Sequence, residues 1–107
     1  MSATQSSRAP ASQAAVTRPQ LLFFYSESSG LSRRVEGFLA QVLQRRHNHD
    51  TFRVLRINYD ARPDLARRCG VAEPPALVVV DQKRVQACVE RPRGCLEIQH
   101  ALAPWLR

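Results

Sequence analysis

The stretch Leu21-Leu22-Phe23-Phe24-Tyr25-Ser26-Glu27-Ser28-Ser29-Gly30-Leu31-Ser32 decides the fold. Its first five residues are all apolar or aromatic, with no alternation of polar and apolar positions. An unbroken apolar run of strand length predicts a strand buried on both faces, as in a parallel or mixed sheet. A polar turn follows, and Ser29 is placed to cap a helix. Beyond it Leu31, Val35, Phe38, Leu39, Val42 and Leu43 recur at i, i+4, i+7, i+8, i+11 and i+12, which is one apolar helical face. Gly37 inside this helix suggests a close packing contact. Arg45, Arg46 and His47 fit its last turn, where cations meet the negative helix end.

Outward from this unit the chain repeats the logic. Phe52 to Ile57 predicts a second strand. Asp60 is a candidate cap for a helix beginning near Pro63, and Gly70 is a candidate left-handed terminator after Cys69. Ala76 to Val80 is a third strand, joined through Asp81-Gln82-Lys83-Arg84 to a fourth at Val85 to Val89. A last helix is predicted from about Gly94 to Leu106. The order β-α-β-α-β-β-α defines an α/β fold with a mixed four-stranded sheet and helices on both faces. Its parallel pair comes from the β-α-β opening, and its antiparallel strand from the closing hairpin. The predicted core is Leu22, Phe24, Val35, Phe38, Leu39, Val42, Val54, Ile57, Leu65, Leu77, Val79, Val85, Ile98 and Leu102. Residues 1–19 are rich in Ser, Ala, Gln, Thr and Pro without periodicity and are expected to form a disordered tail, leaving residues 20–107 as the single domain.

Composition narrows the function. At 107 residues there is room for one core, which excludes a repeat protein or a large enzyme. No apolar run reaches the ~20 residues of a membrane helix, so no membrane association is expected. The opening MSATQSSRAP lacks the apolar segment of a secretory leader, and Cys69, Cys88 and Cys95 are too few for a disulfide scaffold. The expected setting is therefore cytoplasmic. The 16 basic and 9 acidic residues give a net charge of +7, which raises a nucleic-acid reading. Fifteen of the 16 are arginine and only Lys83 is lysine, as a GC-rich coding sequence would produce. They are scattered rather than blocked, so a solvated basic surface outweighs a dedicated nucleic-acid site.

Two further runs sharpen the fold. Ile57-Asn58-Tyr59-Asp60-Ala61-Arg62-Pro63-Asp64-Leu65-Ala66 and Cys69-Gly70-Val71-Ala72-Glu73-Pro74-Pro75-Ala76-Leu77, with the hairpin Asp81 to Val85, resemble the thioredoxin-like superfamily in register over residues 20 to 106. The resemblance implies a minimal thioredoxin-like fold. The family's extra first strand and helix have no expected counterpart in the featureless residues before 20. It also implies a cis bond between Pro74 and Pro75.

The resemblance places Ser29-Gly30-Leu31-Ser32 where that family carries Cys-Gly-Pro-Cys. Both thiols are hydroxyls here, and serine forms neither a thiolate nor a mixed disulfide. The family's buried acid falls at Phe23, its tryptophan before the first cysteine at Ser28, and the residue before its cis-proline at Pro74. Pro74 keeps a carbonyl but has no N–H for a bound peptide. The resemblance thus implies no catalytic residue, no cofactor and no metal. It implies a redox-inactive module that binds a protein or peptide, acidic in character, through the former active-site face. Candidate contact residues are Tyr25, Ser28, Arg33, Arg34, Pro74, Pro75 and Ala76, around the degenerate positions Ser29, Gly30, Leu31 and Ser32. An oxidoreductase with displaced cysteines, Cys88 and Cys95, is the alternative, and a basic nucleic-acid-associated domain the second. Serine hydrolysis lacks a base near Ser29, since His47 and His49 lie past the far end of the long helix and His100 lies in the last helix. His47-Asn48-His49-Asp50 offers histidines in a loop without the partners of a metal site.

Overall fold

The computed structural model describes residues 18–106, without the side chains of Arg46, His47 and His49. The expected tail, apart from its last two residues, and any counterpart of an earlier strand and helix lie outside the described residues. Pro19 already takes part in the fold, since its carbonyl accepts the Arg53 N–H at 2.9 Å.

The first strand, β1, runs Gln20–Tyr25 and leads through a tight turn into α1 at Gly30–Gln44. A 3-10 helix at Arg45–Asp50 connects to β2 at Arg53–Asn58, then α2 at Pro63–Arg68. Strands β3 at Ala76–Asp81 and β4 at Arg84–Glu90 form the hairpin, and α3 at Cys95–Leu102 closes the chain. The sheet order is β2-β1-β3-β4. β1 pairs parallel with β2 and antiparallel with β3, and β3 pairs antiparallel with β4.

The sequence predicts β1 as a central strand, and it is one, with Leu21, Leu22, Phe23 and Phe24 all buried. Its side chains divide between two cores. Leu21 and Phe23 join Val35, Leu39, Val42, Leu77, Val79, Ile98 and Leu102 beneath α1 and α3, which pack side by side. Leu22 and Phe24 join Ala66, Cys69, Val71, Ala76 and Val78 beneath α2. The predicted core named only Leu22 and Phe24 from this strand, whereas a strand covered on both faces buries its odd and even positions alike.

Several expectations are corrected. Val54 and Val85 are exposed, not core, because both lie on edge strands where the covering helices do not reach. A register shift between Val79 and Val80 sets Val85 opposite Val80, which lies on the α2 side of the sheet. α2 has only six residues and leaves that end of β4 uncovered. The basic cluster at Arg45 follows α1 instead of forming its last turn, because the chain tightens into the 3-10 helix. There the buried Asn48 donates from Nδ2 to the Arg45 carbonyl at 2.7 Å. α3 stops at Leu102, short of Leu106, since Pro104 has no N–H to continue the ladder. Asp60 does not cap α2. Arg62 occupies that position without a side-chain capping bond, and Pro63 opens the helix as expected.

Gly70 ends α2 as its sequence position suggests. It has φ +80°, its N–H donates to the Arg67 carbonyl, and the Val71 N–H donates to the Ala66 carbonyl at 2.8 Å. This is the double bond of a Schellman cap. Gly37 is different: it is exposed, and a Cβ there meets nothing within 4 Å. The close contact expected at Gly37 does not exist, so its glycine only weakens α1. Replacing Gly37 by Ala should stabilise the fold by about 1 kcal/mol, read as a higher urea midpoint at constant slope. An unchanged or lower midpoint would contradict this account of α1.

Candidate functional site

The turn between β1 and α1 is held by hydroxyl groups. Ser29 occupies the helix N-cap with extended backbone angles, but its side chain makes no capping bond. The capping bond expected of Ser29 is therefore absent. Its carbonyl accepts the Ser32 N–H at 3.2 Å, and its own N–H donates to the Ser26 carbonyl at 3.1 Å. Ser32 is buried, and its Oγ accepts the buried Ser26 N–H at 3.0 Å. The Ser26 hydroxyl donates to Asp60 Oδ2 at 3.3 Å and so accepts from Ser28 at 3.0 Å. Asp60 thus ties the turn to the end of β2 instead of capping α2. Glu27 adds a second tie, accepting from Asn58 Nδ2 at 3.2 Å.

Phe23 and Tyr25 lie on the side of the sheet covered by α1, with ring centroids 6.1 Å apart. Arg56 of β2 stacks its guanidinium 4.9 Å from the Tyr25 ring centroid and pairs with Glu36 of α1 at 3.1 Å. The Pro74–Pro75 bond is cis, and Pro75, the last residue before β3, is buried.

The first turn of α1 separates two open pockets. One, of about 380 Å³, is lined by Tyr25, Ser29, Ser32, Arg33, Glu36 and Arg56. The other, of about 630 Å³, includes Leu31, Arg34, Phe38, Arg91, Pro92 and Arg93. Arg33 and Arg34, both candidate contact residues, line different pockets because consecutive helical residues diverge by about 100°. Each acquires partners that are remote in sequence: Arg56 beside Arg33, Arg91 and Arg93 beside Arg34. Nothing local in the sequence marks Arg56, Arg91 or Arg93, since the sheet and the β4–α3 connection bring them there.

The cysteines are dispersed, and all three are free. Cys88 is the cross-strand partner of Val78, which belongs to the α2-side core. Cys95 packs on the α1 and α3 side, where its thiol donates to Gln41 Oε1 at 3.0 Å. Cys88 and Cys95 therefore lie on opposite faces of the sheet, and the structure does not bring them together as a redox pair. Burial pushes the Cys69 thiol above its ordinary value. Burial also raises the Cys88 thiol, helped by Glu90 and by Cys69. The histidine loop stands apart from this face, beyond the end of α1, and no group of three or more metal-ligating side chains occurs among the described residues. No helix among them is long and apolar enough to cross a membrane.

This arrangement of sheet, helices and cis-proline loop is a thioredoxin-like fold. Solved structures agree. Trxlp from Edwardsiella tarda EIB202 superposes with a TM-score of 0.69 at 16% identity, covering 92% of this chain and 97% of that one. Deadhead, a germline-specific thioredoxin of Drosophila melanogaster, gives 0.68 at 24% identity, covering 88% and 87%. Desulfothioredoxin from Desulfovibrio vulgaris Hildenborough, in its reduced form, gives 0.69 at 19%, covering 82% of each chain. No family model matches the sequence, and no curated protein matches it. At these identities the likeness is one of fold.

Two outcomes follow from the site. Ser32→Ala should cost about 1–3 kcal/mol, because it strands the buried Ser26 N–H, whereas Ser29→Ala should stay within about 0.5 kcal/mol. Denaturant unfolding of the two variants checks the order, and equal costs would contradict it. The raised thiols predict slow alkylation of Cys69 and Cys88 by iodoacetamide at neutral pH, where little thiolate exists. The rate should climb roughly tenfold per pH unit until the raised values are passed. Fast neutral labelling of Cys88, followed by peptide mass spectrometry, would refute that.

Proposed function

We propose that this chain is a thioredoxin-fold module that binds an extended protein segment and performs no dithiol exchange. The former active-site face does the binding: Tyr25, Ser28, Ser29, Gly30 and Leu31 on one side and Pro74 on the other, with Pro75 and Ala76 buried behind it. The observation that carries this reading is the fate of Ser32. Where the fold would present a second thiol, the hydroxyl is buried and committed to the Ser26 amide as a structural cap. Ser29 remains half-exposed at the helix start, able to offer a hydrogen bond but no thiolate. Phe23, buried at the position of the family's acid, has no proton to move. In this reading the protein needs no cofactor and no metal.

Arginines on both sides of the turn favour an acidic partner, because charge-assisted bonds from guanidinium to carboxylate exceed neutral ones. Where exposed, those contacts weaken with salt. A cytoplasmic setting, in which thiols stay reduced, suits three free cysteines placed apart.

The test has two arms. With dithiothreitol as reductant, insulin reduction should proceed at the uncatalysed rate. Catalysis that disappears in Cys88→Ser or Cys95→Ser would establish the oxidoreductase alternative instead. Peptides selected from a random array should shift backbone amides of Tyr25 to Ser32 and of Ala76 in NMR titration. Shifts confined to other surfaces would overturn the assignment of the face.

A further inference from the structure

The loop Ala72 to Pro75 has four of its main-chain polar groups engaged from the end of β4, while the Ala72 carbonyl accepts the Tyr59 hydroxyl at 2.9 Å. Glu90 Oε2 accepts the Ala72 N–H at 2.6 Å and the Glu73 N–H at 3.0 Å. The Arg91 N–H donates to the Pro75 carbonyl at 2.7 Å, and Arg91 Nη1 donates to the Pro74 carbonyl at 2.9 Å. Arg91 pays for this position with a left-handed backbone, φ +49°, directly before Pro92. An L-residue with a side chain seldom adopts that conformation, and a following proline restricts it further. The two bonds to the proline carbonyls are what hold it.

The Pro74 carbonyl is the one main-chain group of Pro74 that an extended segment can pair with, since proline has no N–H. In the free protein Arg91 occupies it. Beside Arg91 lies the groove of Leu31, Arg34, Phe38, Pro92 and Arg93. Its two carboxylates are held by backbone amides, Glu90 as above and Glu97 by the Arg93 N–H at 2.9 Å. None of Arg34, Arg91 and Arg93 forms an ion pair among the described residues.

We propose that Arg91 is a latch operated by charge. Its guanidinium closes the Pro74 carbonyl until a carboxylate on an incoming extended peptide draws it into the groove beside Arg34 and Arg93. The carbonyl is then free to accept a peptide N–H. A carboxylate competes well with a neutral carbonyl for a guanidinium, because it offers a charged and bidentate acceptor. The occupant is an acidic peptide that sets an apolar side chain on the half-buried Leu31 and Phe38. This inference rests on the peptide-binding reading and names what selects the peptide.

Two synthetic peptides test it, one with glutamates on both sides of a central leucine and one with glutamines in their place. Each is titrated by NMR into the wild type, into Arg91→Gly, which suits the left-handed backbone, and into a variant combining Arg34→Gln with Arg93→Gln. The wild type should bind the glutamate peptide about tenfold tighter than the glutamine peptide. In Arg91→Gly the glutamine peptide should bind tighter than it does to the wild type, and the ratio should fall toward one. In the Arg34→Gln, Arg93→Gln variant the glutamate peptide alone should weaken. Equal affinities for the wild type, or a ratio unchanged in Arg91→Gly, would overturn the latch and leave the peptide-binding reading standing. If neither peptide shifts the amides around Ser29 and Ala76 in the wild type or in Arg91→Gly, both fall together.

Discussion

Burial of β1 on both faces is the constraint from which the rest of the structure follows. Leu21 and Phe23 need a cover on one side, and Leu22 and Phe24 need one on the other. α1 and α3 supply the first and α2 the second. A strand with two buried faces also needs hydrogen-bonding neighbours on both edges, since an unpaired buried amide is costly. β2 and β3 satisfy both edges. The parallel pairing with β2 requires α1 to cross over the sheet, and this crossover sets Ser29 at a helix start above the end of the central strand. The site is thus placed by the strand's burial and not by any interaction of its own.

At that place the polar groups of the turn and of the loop before β3 are engaged by the chain's own side chains. Here Ser32 caps a buried amide, Ser26 and Ser28 form a hydrogen-bonded chain to Asp60, and Arg91 covers the Pro74 carbonyl. Each of these contacts satisfies a polar group of the turn or of the loop. The turn and the loop are therefore tied down by hydrogen bonds within the chain itself.

Charge is distributed in the same manner. The surplus of arginine resolves into local sets with different neighbours. Arg56 is committed to Tyr25 and Glu36, while Arg62 pairs with Asp64, whose carboxyl it holds below the usual carboxylate range. Arg34, Arg91 and Arg93 have no ion pair among the described residues and share one groove. Net charge alone does not distinguish these situations, and no continuous stripe of the kind that follows a phosphate backbone was legible in the chain.

The sequence by itself determined the element order, the central place of β1 and the Gly70 helix terminator. All of these depend on local patterns: an unbroken apolar run, a 3.6-residue period, a glycine after a helix. Only the tertiary structure decided which hydroxyl caps, where Val54 and Val85 end up, and which arginines share a pocket. Ser29 has the right position for a cap, but Ser32 has the right distance to the Ser26 amide, and that distance depends on how the turn packs on Asp60. Val54 and Val85 carry the same local apolar signal as their buried neighbours. Their exposure follows from lying at sheet edges that the helices do not reach. Arg34 meets Arg91 and Arg93 because the β4–α3 connection folds back beside α1, a long-range contact that leaves no trace in local periodicity.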